Sequence, residues 1–147
     1  MRNLSVQIAG HQVGPDSQCF IVAEIGINHN GNIETALQLI DAAKAAGCQA
    51  VKFQKRTVEQ VYAPEDLERP RESPFGTTNR DLKQGLEFGF DEYRMIDDYC
   101  REIGILWFAS CWDENSIDFM EAFDPPCHKI ASACLIHDDL LSAFRAT

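Results

Sequence analysis

Three charged residues interrupt otherwise apolar segments of this 147-residue chain: Glu24 within Cys19–Gly26, Lys52 within Gln49–Gln54, and Lys129 within His128–Ser132. Burying an unpaired charge costs several kcal/mol, so such residues either pair with one another or face a ligand. The chain has only five lysines, and Lys52, Lys55 and Lys129 all lie in or just after strand-like segments. Cations grouped in this way hold an anion, and a carboxylate beside them can move protons. Side-chain alternation puts Ala50, Lys52 and Gln54 on one face of their segment, with Val51 and Phe53 on the other. Glu24 likewise shares a face with Val22 and Gly26, opposite Ile21 and Ile25. Ser110 and Ser132 close two further segments and can donate hydrogen bonds to an anion. A plainer alternative is that Glu24 pairs with a strand lysine as a structural bridge and that the serines are ordinary strand ends. His29, in the turn-rich Ile27–Gly31, is either a solvated loop residue or an acid, base or ligand.

The elements that must position these residues alternate. Leu4 to Val13 reads as a hairpin or leading strand within 1–17. The run Cys19–Gly26 has the near-continuous apolarity of a strand buried on both faces. Asn32 can cap a helix bearing Ile33, Ala36, Leu37, Ile40 and Ala43 at helical spacing, with Gly47 just past its end. A second strand, Gln49–Gln54, precedes a polar, proline-bearing stretch from Thr57 to about Phe90. That stretch exceeds the usual 12 to 15 residues of an unstructured connection, so a functional loop with local helix is expected. Asp91 is the expected cap of the next helix, which Gly104 closes. A third strand, Ile105–Ser110, leads to a helix capped by Asp113 and stopped by Pro125 and Pro126. A fourth strand, His128–Ser132, leads to a helix starting near Asp138. The aromatics Phe75, Phe88, Phe90 and Tyr93 either shape a lid or pack the long loop, and packing is expected for Phe90 and Tyr93.

Strand then helix, four times over, means an α/β arrangement around a parallel sheet. A doubly wound sheet of four strands would be complete at this length, whereas a (β/α)8 barrel of about 250 residues would be half present. Neither a G-x-G-x-x-G nor a G-x-x-x-x-G-K-[ST] stretch occurs, so the usual nucleotide-binding signals are missing. A net charge of −10 argues against a general grip on nucleic acid or an anionic membrane surface. No apolar run reaches the roughly 20 residues of a spanning helix, nor is there a signal peptide, and the chain is expected to be cytoplasmic. The six cysteines form no C-x-x-C pair and read as reduced core residues. The four histidines show no H-x-x-x-H spacing, so no self-contained metal site is expected.

Four segments together resemble the sialic acid synthase family, the N-acetylneuraminate synthases: Val22-Ala-Glu-Ile-Gly-Ile-Asn-His-Asn-Gly31, Ala50-Val-Lys-Phe-Gln54, Phe108-Ala-Ser110 with Trp112-Asp113, and Lys129-Ile-Ala-Ser132. They occur in the family's order along essentially the whole chain. The resemblance implies a (β/α)8 TIM-type barrel of which this chain supplies about the first four βα units: a leading hairpin at 1–17 and βα units from 18 onward. The remaining half-barrel and a small antifreeze-like domain are absent from it. It implies a phosphoenolpyruvate-dependent, C–C bond-forming transferase that condenses phosphoenolpyruvate with an N-acetylated hexosamine, of N-acetylmannosamine type, to a nine-carbon 2-keto acid and phosphate. Glu24 then resembles the carboxylate that manages protons. Lys52 and Lys129 resemble lysines that grip phosphoenolpyruvate, Ser110 and Ser132 match hydroxyls on its carboxylate side, and Gln54 faces the same pocket.

The family uses a divalent metal, manganese or magnesium, held by two histidines on later strands, and this chain ends before them. It acts as a domain-swapped homodimer. Where many members read Gly-Ser-Gly-Glu or Gly-Ser-Gly-Asp, with the acid on the sugar, this chain reads Ala131-Ser-Ala-Cys134. Ser110 replaces a common threonine and keeps the hydroxyl. The expectation is the N-terminal half of such a synthase, inactive alone. The alternatives are a synthase of legionaminic or pseudaminic acid, and a non-catalytic half-barrel binding module whose open sheet edges favour association.

Overall fold

The computed structural model describes residues 4–147. β1 (Val6–Ile8) and β2 (His11–Val13) make the expected antiparallel hairpin; residues 1–3 of its expected span lie outside the described residues. β3 (Val22–Gly26) is followed by α1 (Ile33–Ala45) and β4 (Ala50–Lys55). The long polar stretch folds into α2 (Val58–Val61), α3 (Pro64–Leu67), a β5–β6 hairpin (Pro70–Ser73, Gly76–Thr78) and α4 (Asn79–Gly85). Beyond it come α5 (Phe90–Ile103), β7 (Leu106–Cys111), α6 (Glu114–Glu121), β8 (Lys129–Ile130), a 3-10 turn at Ser132–Cys134, and α7 (Asp138–Ala146).

β3, β4, β7 and β8 form one parallel sheet in that order. Each strand lies beside its predecessor in the chain, so the order has no point of reversal such as marks a doubly wound sheet. The helix-facing side buries Ile25, Val51, Phe53, Trp107, Ala109 and Cys111. Tyr93 of α5 enters this layer, stacked on Trp107 with ring centroids 5.6 Å apart and edge-on to Phe53 at 6.2 Å. Aromatic pairs in these geometries add to area burial, which is why α5 docks where it does.

Several boundaries differ from the sequence expectation for local reasons. β3 starts at Val22 rather than Cys19, because the Gln49 side chain takes the Ile21 N–H at 2.7 Å. β8 is two residues long, since the Ala131 carbonyl accepts the Cys134 N–H and closes the 3-10 turn. Ser132 is therefore an exposed turn residue, not a strand end. Asp91 does not cap α5. Gly89 does, with its N–H donated to the Glu92 carboxylate at 3.0 Å, and Asp91 pairs with Arg94 in the first turn. Asn32 and Asp113 cap as expected, accepting from Thr35 N–H at 2.7 Å and Ser116 N–H at 2.9 Å.

All six cysteines are free thiols; Cys100, Cys111 and Cys134 are buried, but Cys19 is exposed and is not a core residue. Burial pushes the Cys100 and Cys111 thiols up to about 12, which leaves them unreactive. No helix among the described residues is long and apolar enough to cross a membrane.

Candidate active site

The sheet's other face carries the chemistry. Register places Glu24 beside Lys52, Gln54 beside Ser110, and Ser110 beside Lys129. Partners in a parallel ladder and residues two apart share a face, so these five side chains project from one side of the sheet near the C-terminal ends of the strands. Lys52 is buried. Its ammonium lies 2.7 Å from the Glu24 carboxylate and donates to the Ser110 hydroxyl at 3.0 Å. Burial lowers the Lys52 pKa and the nearby Lys129 adds to that, while the hydrogen bond and charge of Glu24 oppose it. Lys129 is exposed and makes no hydrogen bond or ion pair among the described residues, so its charge is available to a ligand. Ser132 lies in the 3-10 turn beyond β8, three residues after Lys129.

Gly26 makes the Glu24 geometry possible. A bulge falls between Glu24 and Gly26, and Gly26 has φ +56°. A Cβ there would meet the Glu24 Oε1 at 3.0 Å and the Gln54 Nε2 at 3.5 Å, so a larger residue would crowd the carboxylate as well as strain the left-handed backbone.

Lys55, grouped with the other two lysines on sequence grounds, is engaged elsewhere. It donates to the Phe88 carbonyl at 2.7 Å, and its ammonium sits 4.6 Å from the Phe119 ring centre. Period-two alternation already sends residue 55 to the opposite face from residue 52. His29 is not solvated either: it is buried, stacked on Phe88 at 3.9 Å, and its Nδ1 accepts the Gly31 N–H at 3.1 Å. Burial, with a smaller contribution from Arg56, lowers its pKa to about 4, so it is a neutral structural residue at ordinary pH. The segment carrying Phe88 closes over this loop; a Cβ on Gly31 would lie 2.2 Å from the Gly85 carbonyl.

Sequence reasoning missed a polar brace at the same strand ends. Arg56 is buried, donates from Nε to Glu87 at 2.5 Å and from Nη1 to the Tyr62 hydroxyl at 2.9 Å. Burial works to lower its pKa, but Glu87 and Tyr62 outweigh it and the guanidinium is held charged. Asp113 accepts four hydrogen bonds, from the N–H and hydroxyl of both Thr57 and Ser116. It therefore ties the segment after β4 to the start of α6. Its cap role was visible in the sequence; its hold on Thr57 had no local signal. Beyond the brace, a cavity of ≈ 580 Å³ opens among the loops after β4, β7 and β8, walled by Tyr62, Trp112 and Cys134.

Among the described residues no group of three or more His, Cys, Asp or Glu side chains is placed to hold a metal ion. His29 is stacked away, and His128 faces Glu121 at 3.3 Å and the Thr147 hydroxyl.

The sequence profile of the NeuB family matches residues 39–147. The chain belongs to the NeuB family. It is 40% identical over 125 residues to the N-acetylneuraminate-9-phosphate synthase of Mus musculus, covering 84% of this chain and 35% of that protein. It is 32% identical over 115 residues to the N,N'-diacetyllegionaminic acid synthase of Legionella pneumophila, covering 73% of this chain and 31% of the relative. Among solved structures, the N-acetylneuraminic acid synthetase of Leptospira borgpetersenii in complex with citrate superposes with TM-score 0.80 at 26% identity, over 95% of this chain and 45% of that one. The NeuB chain described here thus spans about a third of the length of these curated relatives.

Proposed function

We propose that this chain forms the phosphoenolpyruvate-binding side of a nonulosonic acid synthase. The observation that carries the proposal is the Glu24–Lys52–Ser110 cluster with Lys129 beside it, on one sheet face at the C-terminal strand ends. Strand-end clusters at that edge are where parallel α/β folds bind ligands. The sequential strand order supports reading the sheet as the first four strands of a (β/α)8 barrel, with the polar face toward its axis.

Phosphoenolpyruvate carries a carboxylate and a phosphate. Lys52 and Lys129 offset that charge, and the Ser110 hydroxyl and Gln54 amide orient it. Ser132, in the turn after β8, is proposed to add a further hydroxyl. The reaction proposed for the whole protein joins the enol carbon of phosphoenolpyruvate to the aldehyde carbon of an N-acetylated hexosamine. Water then adds to the cationic carbon that results, and phosphate leaves, giving a nine-carbon 2-keto acid. Glu24, half exposed and hydrogen-bonded to Lys52, is the group in reach to shuttle a proton during these steps. The described residues do not assemble a site that would hold a divalent metal.

Titrating phosphoenolpyruvate into the chain tests the binding role by calorimetry. Lys52→Ala and Lys129→Ala are expected to weaken binding by about tenfold or more, as loss of a charge-assisted contact does. Lys55→Ala, on the opposite face, is expected to leave it unchanged. Unaltered affinity in the first two variants would remove the assignment.

A further inference from the structure

Of the five lysines, Lys52 alone combines a buried amine with a place on the ligand-facing side of the sheet. Lys44 and Lys129 are exposed, and Lys44 donates to the Gly104 carbonyl at 2.7 Å. Lys83 sits over the Tyr62 ring, 4.8 Å from its centre, and Lys55 is committed to the Phe88 carbonyl on the opposite face. An amine that has lost its water, or that lies beside a second cation, is made nucleophilic toward a carbonyl. Lys52 meets both conditions. Burial lowers its pKa most, the Lys129 charge acts in the same direction, and together they outweigh the hydrogen bond and charge of Glu24.

The groups around that amine suit one chemistry. The Glu24 carboxylate, 2.7 Å from the nitrogen, can take its proton, and because Glu24 is half exposed a ligand that meets it is one hydrogen bond from the amine. The Ser110 hydroxyl lies 3.0 Å from the same nitrogen. Lys129, beside Ser110 in register and exposed, is a cation free to hold a carboxylate. Phosphoenolpyruvate binding uses only the charge of Lys52, not a lone pair on its nitrogen. A nucleophilic amine with a proton acceptor and a carboxylate-binding cation fits a ligand whose carboxylate adjoins a ketone.

We propose that the Lys52 amine forms an imine with small 2-keto acids such as pyruvate, whose carboxylate Lys129 holds. Glu24 first takes a proton from the Lys52 ammonium. The freed lone pair attacks the ketone carbon, a C–N bond forms as the carbonyl π bond breaks, and the oxygen takes up one of the nitrogen's protons. Glu24 then returns its proton to that hydroxyl, the C–O bond breaks, and water leaves as the nitrogen lone pair closes the C=N bond. The product is a protonated imine with the Glu24 carboxylate restored beside it, so protons and charge balance with no oxidant or reductant. The inference shares the cluster with the phosphoenolpyruvate assignment without resting on it, because pyruvate has no phosphate. Phosphoenolpyruvate has an enol ester where pyruvate has a ketone and cannot form the imine.

Trapping with pyruvate and sodium borohydride tests this, since hydride reduces the imine to a stable secondary amine that peptide mass mapping locates. The expected result on the unaltered chain is an adduct on Lys52, with Lys44, Lys55 and Lys83 unmodified. Glu24→Gln is expected to slow trapping by about tenfold or more, as loss of a proton-transfer group does. Lys129→Ala is expected to raise the half-saturating pyruvate concentration by about tenfold. Absence of an adduct on Lys52, or adducts spread evenly over the lysines, would overturn the inference, and neither result depends on a variant folding. An unchanged trapping rate in Glu24→Gln would overturn it too. Trapping at Lys52 in a chain that fails to bind phosphoenolpyruvate would remove the earlier assignment and keep this one; phosphoenolpyruvate binding without trapping would do the reverse.

Discussion

Glu24 and Lys52 meet at 2.7 Å across the first pair of parallel strands, yet their side chains are 58% and 4% exposed. The ion pair is lopsided: the carboxylate keeps much of its water and the ammonium has almost none. Glu24→Gln then leaves a buried cation with Ser110 as its main partner and is expected to cost about 1–3 kcal/mol. Lys52→Met leaves a hydrated carboxylate and is expected to cost less than about 1 kcal/mol. Phosphoenolpyruvate affinity should run the other way, lost in Lys52→Met and retained in Glu24→Gln. Urea midpoints and titrations on both variants check this, and equal stability losses would contradict it.

Gly26→Ala combines a left-handed φ of +56° with a Cβ 3.0 Å from the Glu24 carboxylate. Left-handed backbone costs a residue with a Cβ roughly 1–2 kcal/mol. The variant is expected to lose about that much stability and, by pushing Glu24 aside, to change the environment of the Lys52 ammonium. The ε-carbon NMR signal of Lys52, read after uniform labelling, should shift; an unmoved signal would show that Gly26 serves the backbone alone.

His29 sets a pH dependence. Its folded pKa is about 4 against an ordinary 6.5, so the unfolded chain binds the proton more tightly. The stability contributed by neutral His29 is fully present above pH 6.5 and is lost as the pH falls toward 4. The full loss is roughly 3 kcal/mol. His29→Gln cannot titrate there. Urea unfolding between pH 7 and 4 should show a steeper decline in the unaltered chain than in the variant, and parallel curves would count against a buried neutral imidazole.

Asp113→Ala removes the cap of α6 and both acceptors of Thr57. A lost cap costs about 1 kcal/mol, and the Thr57 N–H, left without its partner, costs about 1–3 kcal/mol more. Amide hydrogen exchange should speed up at both Thr57 and Ser116. Faster exchange at Ser116 alone would mean that the Thr57 bonds contribute nothing to holding the long segment in place.

Much of the candidate site was legible in the residues themselves. Alternation along Ala50–Gln54 puts Lys52 and Gln54 on one face and Lys55 on the other, and the caps Asn32 and Asp113 declare themselves by type and position. Other features depend on residues distant in the chain. Arg56 and Glu87 are 31 positions apart, and neither announces the other. His29 reads as a loop residue until Phe88 covers it. Ser132 reads as a strand end until the Ala131 carbonyl turns to close a 3-10 turn.

The division has a physical cause. Which side of a strand a residue faces, and where a helix can begin, follow from backbone geometry over a few neighbouring residues, so the sequence by itself determined the polar face bearing Glu24, Lys52, Gln54, Ser110 and Lys129. Whether a charge on that face is dry or wet, paired or open to a ligand, depends on which distant segments exclude water from it. Only the tertiary structure decided that Lys52 is buried against Glu24 and Ser110, that His29 is held neutral, and that Lys129 stays exposed.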